Sequence, residues 1–168
     1  MINHSEMNIR DALLEDLADI VQIYNSTVAG RMVTADTEPV SVQSREKWFM
    51  EHSAHLRPLW VMEYRNEICG WLSFQSFYGR PAYNCTVEIS IYIAEKYRKK
   101  GIGRMFLQKA LDFCPEIGVK NLLGFIFGHN NPSLNLFYSF GFSNWGVLPG
   151  IAELDGIQRD LVIVGKKI

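Results

Sequence analysis

The sequence has no apolar run long enough to cross a bilayer: "LLGFIF" and "LVIV" fall far short of the ~20 residues a spanning helix needs. It has no excess of charge either, since 17 Lys and Arg face 18 Asp and Glu, a net charge of −1. A chain so balanced has no global field to gather nucleic acid. Cysteine is scarce: Cys69, Cys85 and Cys114 stand far apart with no C-x-x-C, which excludes a disulfide framework or a thiolate zinc site and leaves them as packing residues. His52 and His55 form an H-x-x-H without a Glu or Cys arranged beside them, so they read as a solvated helix face, and no metal is expected. The opening "MINHSEMNIRD" lacks the apolar stretch of a secretory signal, so a cytoplasmic protein with neither membrane nor nucleic-acid partner is expected. With no repeat, low-complexity tract or long linker, residues 1–168 read as a single domain.

What is present is a mixed α/β pattern. Residues 7–11 read as a strand, and Leu17, Ile20, Val21, Tyr24 and Val28 then recur at helical spacing. Ser41 can cap a second helix that carries Trp48 and Phe49. "LWVMEY" and "ICGWLSFQSF" read as a hairpin. "TVEISIYI" alternates strictly, with Val87, Ile89, Ile91 and Ile93 on one face and Glu88, Ser90 and Tyr92 on the other. Helix is expected from Gly103 to Glu116, strand at "NLLGFIF", a short helix from Pro132 to Phe140, and strands near 142–148 and 157–165. One sheet flanked by helices follows.

Between "TVEISIYI" and the third helix, "YIAEKYRKKGIGRMFL" places five basic side chains around Gly101-x-Gly103. A strand that ends where a helix begins is a natural anion site, because the first helical N–H groups lack intrahelical acceptors and the helix dipole favours negative charge. Two nucleotide signatures are excluded: a dinucleotide fingerprint needs glycine at Phe106, and a P-loop needs Gly-Lys-Ser/Thr where the chain reads Gly103-Arg104-Met105. A second pattern follows in "HNNPSLNLFYSFGF", where Asn130-x-x-Ser133 precedes a short helix closed by Gly141-Phe142.

With both patterns, the sequence resembles the GNAT-type N-acetyltransferases and, within them, the phosphinothricin acetyltransferase group. The residues that carry the resemblance are Arg98-x-x-Gly101-x-Gly103 after "TVEISIYI", Asn130-x-Pro132-Ser133, Gly141-Phe142, "TEP" at 37–39 and "RPAY" at 80–83, and it spans about 7 to 165. It implies an α/β fold with a GNAT-like central twisted mixed sheet flanked by helices, and acetyl-CoA as cosubstrate. On that reading Lys99, Lys100, Gly101, Ile102, Gly103 and Arg104 cradle the pyrophosphate. Backbone groups of Ile91, Tyr92 and Ile93 meet the pantetheine arm, an N–H near Ile91 meets the oxyanion, and Asn130 and Ser133 hold the cofactor from the facing helix.

Acyl transfer to an amine of pKa near ~10.4 needs a base, since the amine is protonated at neutral pH. Glu88 is the candidate, because it alternates out of an apolar strand where desolvation raises a carboxyl pKa into a useful range. Many members of the superfamily carry Tyr four residues before the final Gly, to protonate the departing thiolate. Phe137 stands there in this chain, so no dedicated acid is supplied at that position. Arg80, with Tyr78 beside it, is expected to orient the acceptor, and Glu38 its amine side. The expected acceptor is a small amino-acid analogue such as phosphinothricin, methionine sulfoximine or methionine sulfone. A peptide or protein N-acetyltransferase and a non-catalytic acyl-CoA sensor are the rival readings. Phe140, Phe142 and Trp145, read as exposed aromatics, together with the commonly dimeric state of the resembling group, set the expectation of a homodimer.

Overall fold

A computed structural model describes residues 4–168. Strand β1 (Met7–Asp11) leads to helix α1 (Leu17–Val28), helix α2 (Val42–Met50) and the hairpin β2 (Leu59–Tyr64) and β3 (Glu67–Ser76). Then come β4 (Thr86–Ile93), α3 (Ile102–Phe113), β5 (Asn121–Phe127), α4 (Asn131–Tyr138), β6 (Ser143–Leu154) and β7 (Ile157–Lys167). The seven strands form one sheet in the order β1-β2-β3-β4-β5-β7-β6. β4 and β5 run parallel, and every other neighbouring pair is antiparallel.

Local chemistry explains where the elements stop. Ser41 caps α2 by accepting from the Ser44 N–H at 3.1 Å. The β2–β3 turn places Arg65 and Asn66 at φ 53° and 63°, the backbone twist that a two-residue hairpin loop requires. Helix α3 ends at Phe113, short of the expected Glu116, and continues as a 3-10 turn over Cys114–Ile117. Pro115 is the reason, since proline cannot donate the next helical hydrogen bond. The last hairpin is longer than expected: β6 continues through Pro149-Gly150 by slipping register between Leu148 and Ala152, and turns at Asp155-Gly156. The Gly150 N–H donates to Asp160 Oδ1 at 2.7 Å and secures this bulge.

Helices cover both faces of the sheet. Phe106, Leu107 and Ala110 of α3, with Leu134 and Phe137 of α4, pack on Leu72, Phe74, Val87, Ile89 and Leu122. Each such large side chain, removed from water, contributes about 1.5–3 kcal/mol. On the other face Ile20 and Ile23 of α1 pack on Leu59, Val61 and Trp71, with Trp48 and Phe49 of α2 against them. Cys69 and Cys114 are buried and free, and Cys85 is half-buried. His52 lies past the end of α2 and is half-buried, not on a solvated helix face; its Nδ1–H donates to the Trp48 carbonyl at 2.8 Å. Burial lowers its pKa. No cluster of metal-ligating side chains occurs among the described residues, and no helix among them is long and apolar enough to cross a membrane.

Candidate active site

The site begins where the parallel pair comes apart. β4 and β5 pair only over Thr86–Asn121, Val87–Leu122 and Glu88–Leu123. Beyond that point β4 stays paired to β3 as far as Ile93, and β5 stays paired to β7 as far as Phe127. The two strands therefore diverge into a cleft with Glu88 at its vertex. The Ala94 N–H donates to the Cys69 carbonyl and the Phe77 N–H to the Thr86 carbonyl, so the even-numbered residues of β4 turn their backbone groups toward β3. Ile89, Ile91 and Ile93 turn theirs into the cleft, where β5 does not meet them. The Ile93 carbonyl accepts from Arg98 Nε at 3.2 Å. Tyr92 departs from its expected role: its backbone is engaged with Trp71 of β3, and what it brings to the site is its ring, on the opposite face.

The mouth of the cleft is the basic loop. Lys99 and Gly101 sit at φ 59° and 84°, and Gly101 caps α3. The first helical bond is Met105 N–H to Gly101 C=O at 3.1 Å, so the amides of Ile102, Gly103 and Arg104 precede it at the positive end of the helix. Gly103 is buried, and a Cβ there would lie 2.9 Å from Leu136 Cδ2 and 3.5 Å from Ile93 Cδ1; its bareness lets α3 approach α4 beside the cleft. Lys100 turns its ammonium back to the Lys96 carbonyl, and Lys99 is exposed. Arg104 lies over the Phe140 ring at 4.9 Å and donates to Ser139 Oγ at 3.1 Å. At the start of α4, buried Asn130 accepts from the Ser133 N–H through Oδ1 at 3.2 Å and caps the helix, while Leu136, Ser139 and Phe140 at the other end meet Gly103 and Arg104.

On the sheet face covered by α1 and α2, a cavity of about 230 Å³ is floored by Ser73, Gln75, Glu88, Ser90 and Tyr92. Its walls include Tyr24, Trp48 and Trp71. Tyr92 stacks on Trp71 at 4.4 Å and lies 5.1 Å from Tyr24, which gives the wall a continuous aromatic surface. Among the described residues nothing donates a hydrogen bond to the Glu88 carboxylate, and burial alone pushes its pKa above the ordinary carboxylate value. Tyr92 is raised by burial as well and remains a neutral phenol.

The cation on this cavity is Arg45, from α2. Tyr78 and Arg80 lie exposed in the loop between β3 and β4, and Glu38 lies exposed between α1 and α2; none of the three lines the cavity. A sequence signal for Arg45 existed: Val42, Arg45 and Trp48 follow one another at intervals of three on α2, a charged residue in an apolar stripe. Phe137 is buried against Phe142, 4.9 Å between ring centres, and Tyr138 donates to Asn144 Oδ1 at 2.6 Å. Neither reaches into the cleft as a free hydroxyl. Phe142 is thus core rather than an exposed aromatic, Phe140 is half-buried, and Trp145 is exposed.

The parting of β4 from β5, the amide-lined turn at its mouth and the desolvated carboxylate at its vertex form one connected site. Residues 17–142 match the Acetyltransferase (GNAT) family, and the chain belongs to that family and is an N-acetyltransferase. It is 53% identical over 96% of its length to a Bacillus subtilis (strain 168) protein called "Putative phosphinothricin acetyltransferase YwnH", 99% of which is covered. It is 28% identical to the L-methionine sulfoximine/L-methionine sulfone acetyltransferase of Pseudomonas aeruginosa, over 94% of this chain and 92% of that one. Its fold superposes with a TM-score of 0.91 on a phosphinothricin acetyltransferase from Sinorhizobium meliloti in complex with acetyl-CoA, at 26% identity, covering 97% and 89% of the two chains.

Proposed function

We propose that this protein transfers the acetyl group of acetyl-CoA to the α-amine of a small amino-acid-like acceptor, with Glu88 as general base. The observation that carries the reading is a desolvated, unpaired carboxylate placed where the carrier cleft meets an aromatic-walled cavity. A carboxyl with a raised pKa can take a proton from an ammonium more readily than an ordinary one, which frees the nitrogen lone pair for attack on the thioester carbon. The oxyanion that forms is met by the Ile91 N–H, which points into the cleft. The carrier's diphosphate lies on the amides of Gly101, Ile102, Gly103 and Arg104, with Lys99 and Lys100 adding charge, and Ser133 meets the carrier from the start of α4. Asn130 serves there by capping α4 and holding that helix end in place.

The thiolate leaves without a tyrosine at position 137. A thiol of pKa near ~8.5 is a tolerable leaving group, so losing an acid worth about 10²-fold does not abolish turnover. The volume favours a free amino acid: about 230 Å³ is below the ~300–1,000 Å³ typical of pockets for drug-sized ligands. The names of the relatives point the same way, toward phosphinothricin, methionine sulfoximine and methionine sulfone. A sensor that only bound acetyl-CoA would gain nothing from burying Glu88 unpaired.

The test is thiol release from acetyl-CoA with a panel of free amino acids and a set of N-terminal peptides. Turnover with the amino acids and little with the peptides is expected. Preference for the peptides would replace the acceptor, and acetyl-CoA binding without turnover on either set would make the protein a sensor.

A further inference from the structure

Resting on that reading of the cavity, we propose that Arg45 receives the acidic group of the acceptor, with Asp36 and Tyr24 as positioning residues that hold its guanidinium at the wall. Arg45 is the one basic side chain lining the cavity among the described residues, and Glu88 is the one acidic side chain. An acceptor that carries both an ammonium and an acidic oxygen group matches this pair in sign: its amine goes to Glu88 and its oxyanion to Arg45.

The guanidinium is held but not used up. One N–H, on Nη2, donates to Asp36 Oδ2 at 2.9 Å, and the group lies 4.9 Å above the Tyr24 ring. No other hydrogen bond from Arg45 occurs among the described residues, so four of its five N–H donors remain for a ligand. Asp36 is fixed in turn, since Tyr24 donates to the same Oδ2 at 2.5 Å and Thr34 Oγ1 lies 2.5 Å from the Tyr24 hydroxyl. A planar fork set against an aromatic face and steered by a carboxylate is pre-organised for a bidentate oxyanion. Tyr24, Trp48, Trp71 and Tyr92 give the cavity an aromatic side for the acceptor's apolar part, while Ser73, Gln75 and Ser90 on the floor offer it hydrogen bonds. Arg80, by contrast, lies exposed on a loop that does not line the cavity.

The acidic group that every such acceptor carries is its α-carboxylate, and the neutral sulfone at the far end of the side chain is the rival partner for the guanidinium. Steady-state kinetics of the native protein, Arg45→Met and Arg45→Lys separate them, using methionine sulfone, its methyl ester, and norleucine, which keeps the carboxylate but lacks the sulfone. Charge-assisted hydrogen bonds of this kind predict a KM for methionine sulfone about 10- to 100-fold higher in Arg45→Met, with the KM for acetyl-CoA unmoved. Arg45→Lys keeps the charge without the fork and should fall between. If Arg45 meets the carboxylate, the penalty of the substitution shrinks to within about threefold on the ester; a penalty that shrinks on norleucine instead places the sulfone there and overturns the assignment of the acidic group.

An equal penalty on all three acceptors, or none on any, overturns the assignment while leaving acetyl transfer in place. Should Arg45→Met fail to fold, Arg45→Lys and the native protein's own preference decide: no discrimination by the native protein among the three acceptors also overturns it. Absence of turnover by the native protein with every amine would remove the acetyl-transfer reading, and this assignment with it.

Discussion

Glu88, the proposed base, carries a cost in stability. Its pKa is raised by burial alone, so in the folded state it holds its proton to higher pH than in the unfolded chain, where it ionises near ~4.3. Between those two values the native state binds more protons than the unfolded one, and stability falls as pH rises through the folded pKa. Glu88→Gln should therefore lower kcat by about 10²- to 10⁴-fold while raising the thermal midpoint at neutral pH. Melting curves should show that gain disappearing below the unfolded pKa. The native kcat/KM should fall on the acid side through a pKa above that of an ordinary glutamate. A Glu88→Gln protein no more stable at pH 7 than the native one would contradict the desolvated carboxylate. The facing of Glu88 was legible in the alternation of "TVEISIYI". The place of Arg45 on the cavity was not, because its partners Asp36 and Tyr24 come from other segments and meet it only in the folded chain.

At the scale of elements, the cleft depends on how β3 holds β4. Gly70 pairs with Ile93, and a Cβ at Gly70 would lie 2.9 Å from the Tyr92 carbonyl oxygen, 3.3 Å from Phe106 Cε2 and 3.5 Å from Ile93 Cα. Two of these neighbours are backbone atoms and cannot swing aside. Gly70→Ala should thus cost about 1–3 kcal/mol, read as a lowered thermal midpoint. It should also raise the KM for acetyl-CoA, because the strand end that moves carries the Ile91 and Ile93 backbone groups. Gly103→Ala meets the flexible tip of Leu136 instead and should be milder.

Most elements could be read from period and caps: β1, α1, α2, β4, β5 and α4 fall within a residue or two of their expected bounds. The parting of β4 from β5 could not be read that way. It is a property of pairing between strands separated by a helix, and side-chain alternation is the same whether a strand is paired on one edge or on both. The full length of β6 was hidden for a different reason: Pro149-Gly150 signals a turn, yet here it is absorbed as a bulge held by Asp160.

For the whole molecule, the last hairpin presents Trp145, Val147, Leu148, Ile151 and Ile157 to solvent, from 39% to 62% exposed. These exposed apolar side chains on an edge strand and its turn are the proposed contact with a second copy of the chain. Light scattering should give a mass near twice 19.3 kDa for the native protein and a shift toward one copy for Ile151→Lys; a native mass of one copy would contradict the dimer. The fold class was legible before the structure, and so was the placing of Glu88 on the face of β4 opposite Val87 and Ile89. The acceptor cavity was legible only in part, because it is assembled from α1, α2, β3 and β4, and one sequence does not reveal which of its arginines faces inward.

The central claim is spatial: amides at the start of α3 grip a diphosphate so that the thioester arrives at the vertex where β4 leaves β5. A crystal structure with acetyl-CoA bound tests it most directly. The account predicts diphosphate oxygens within hydrogen-bonding distance of the Gly101–Arg104 amides, the pantetheine arm along Ile91 and Ile93, and the acetyl group beside Glu88. A diphosphate bound away from the start of α3, or an acetyl group far from Glu88, would contradict it.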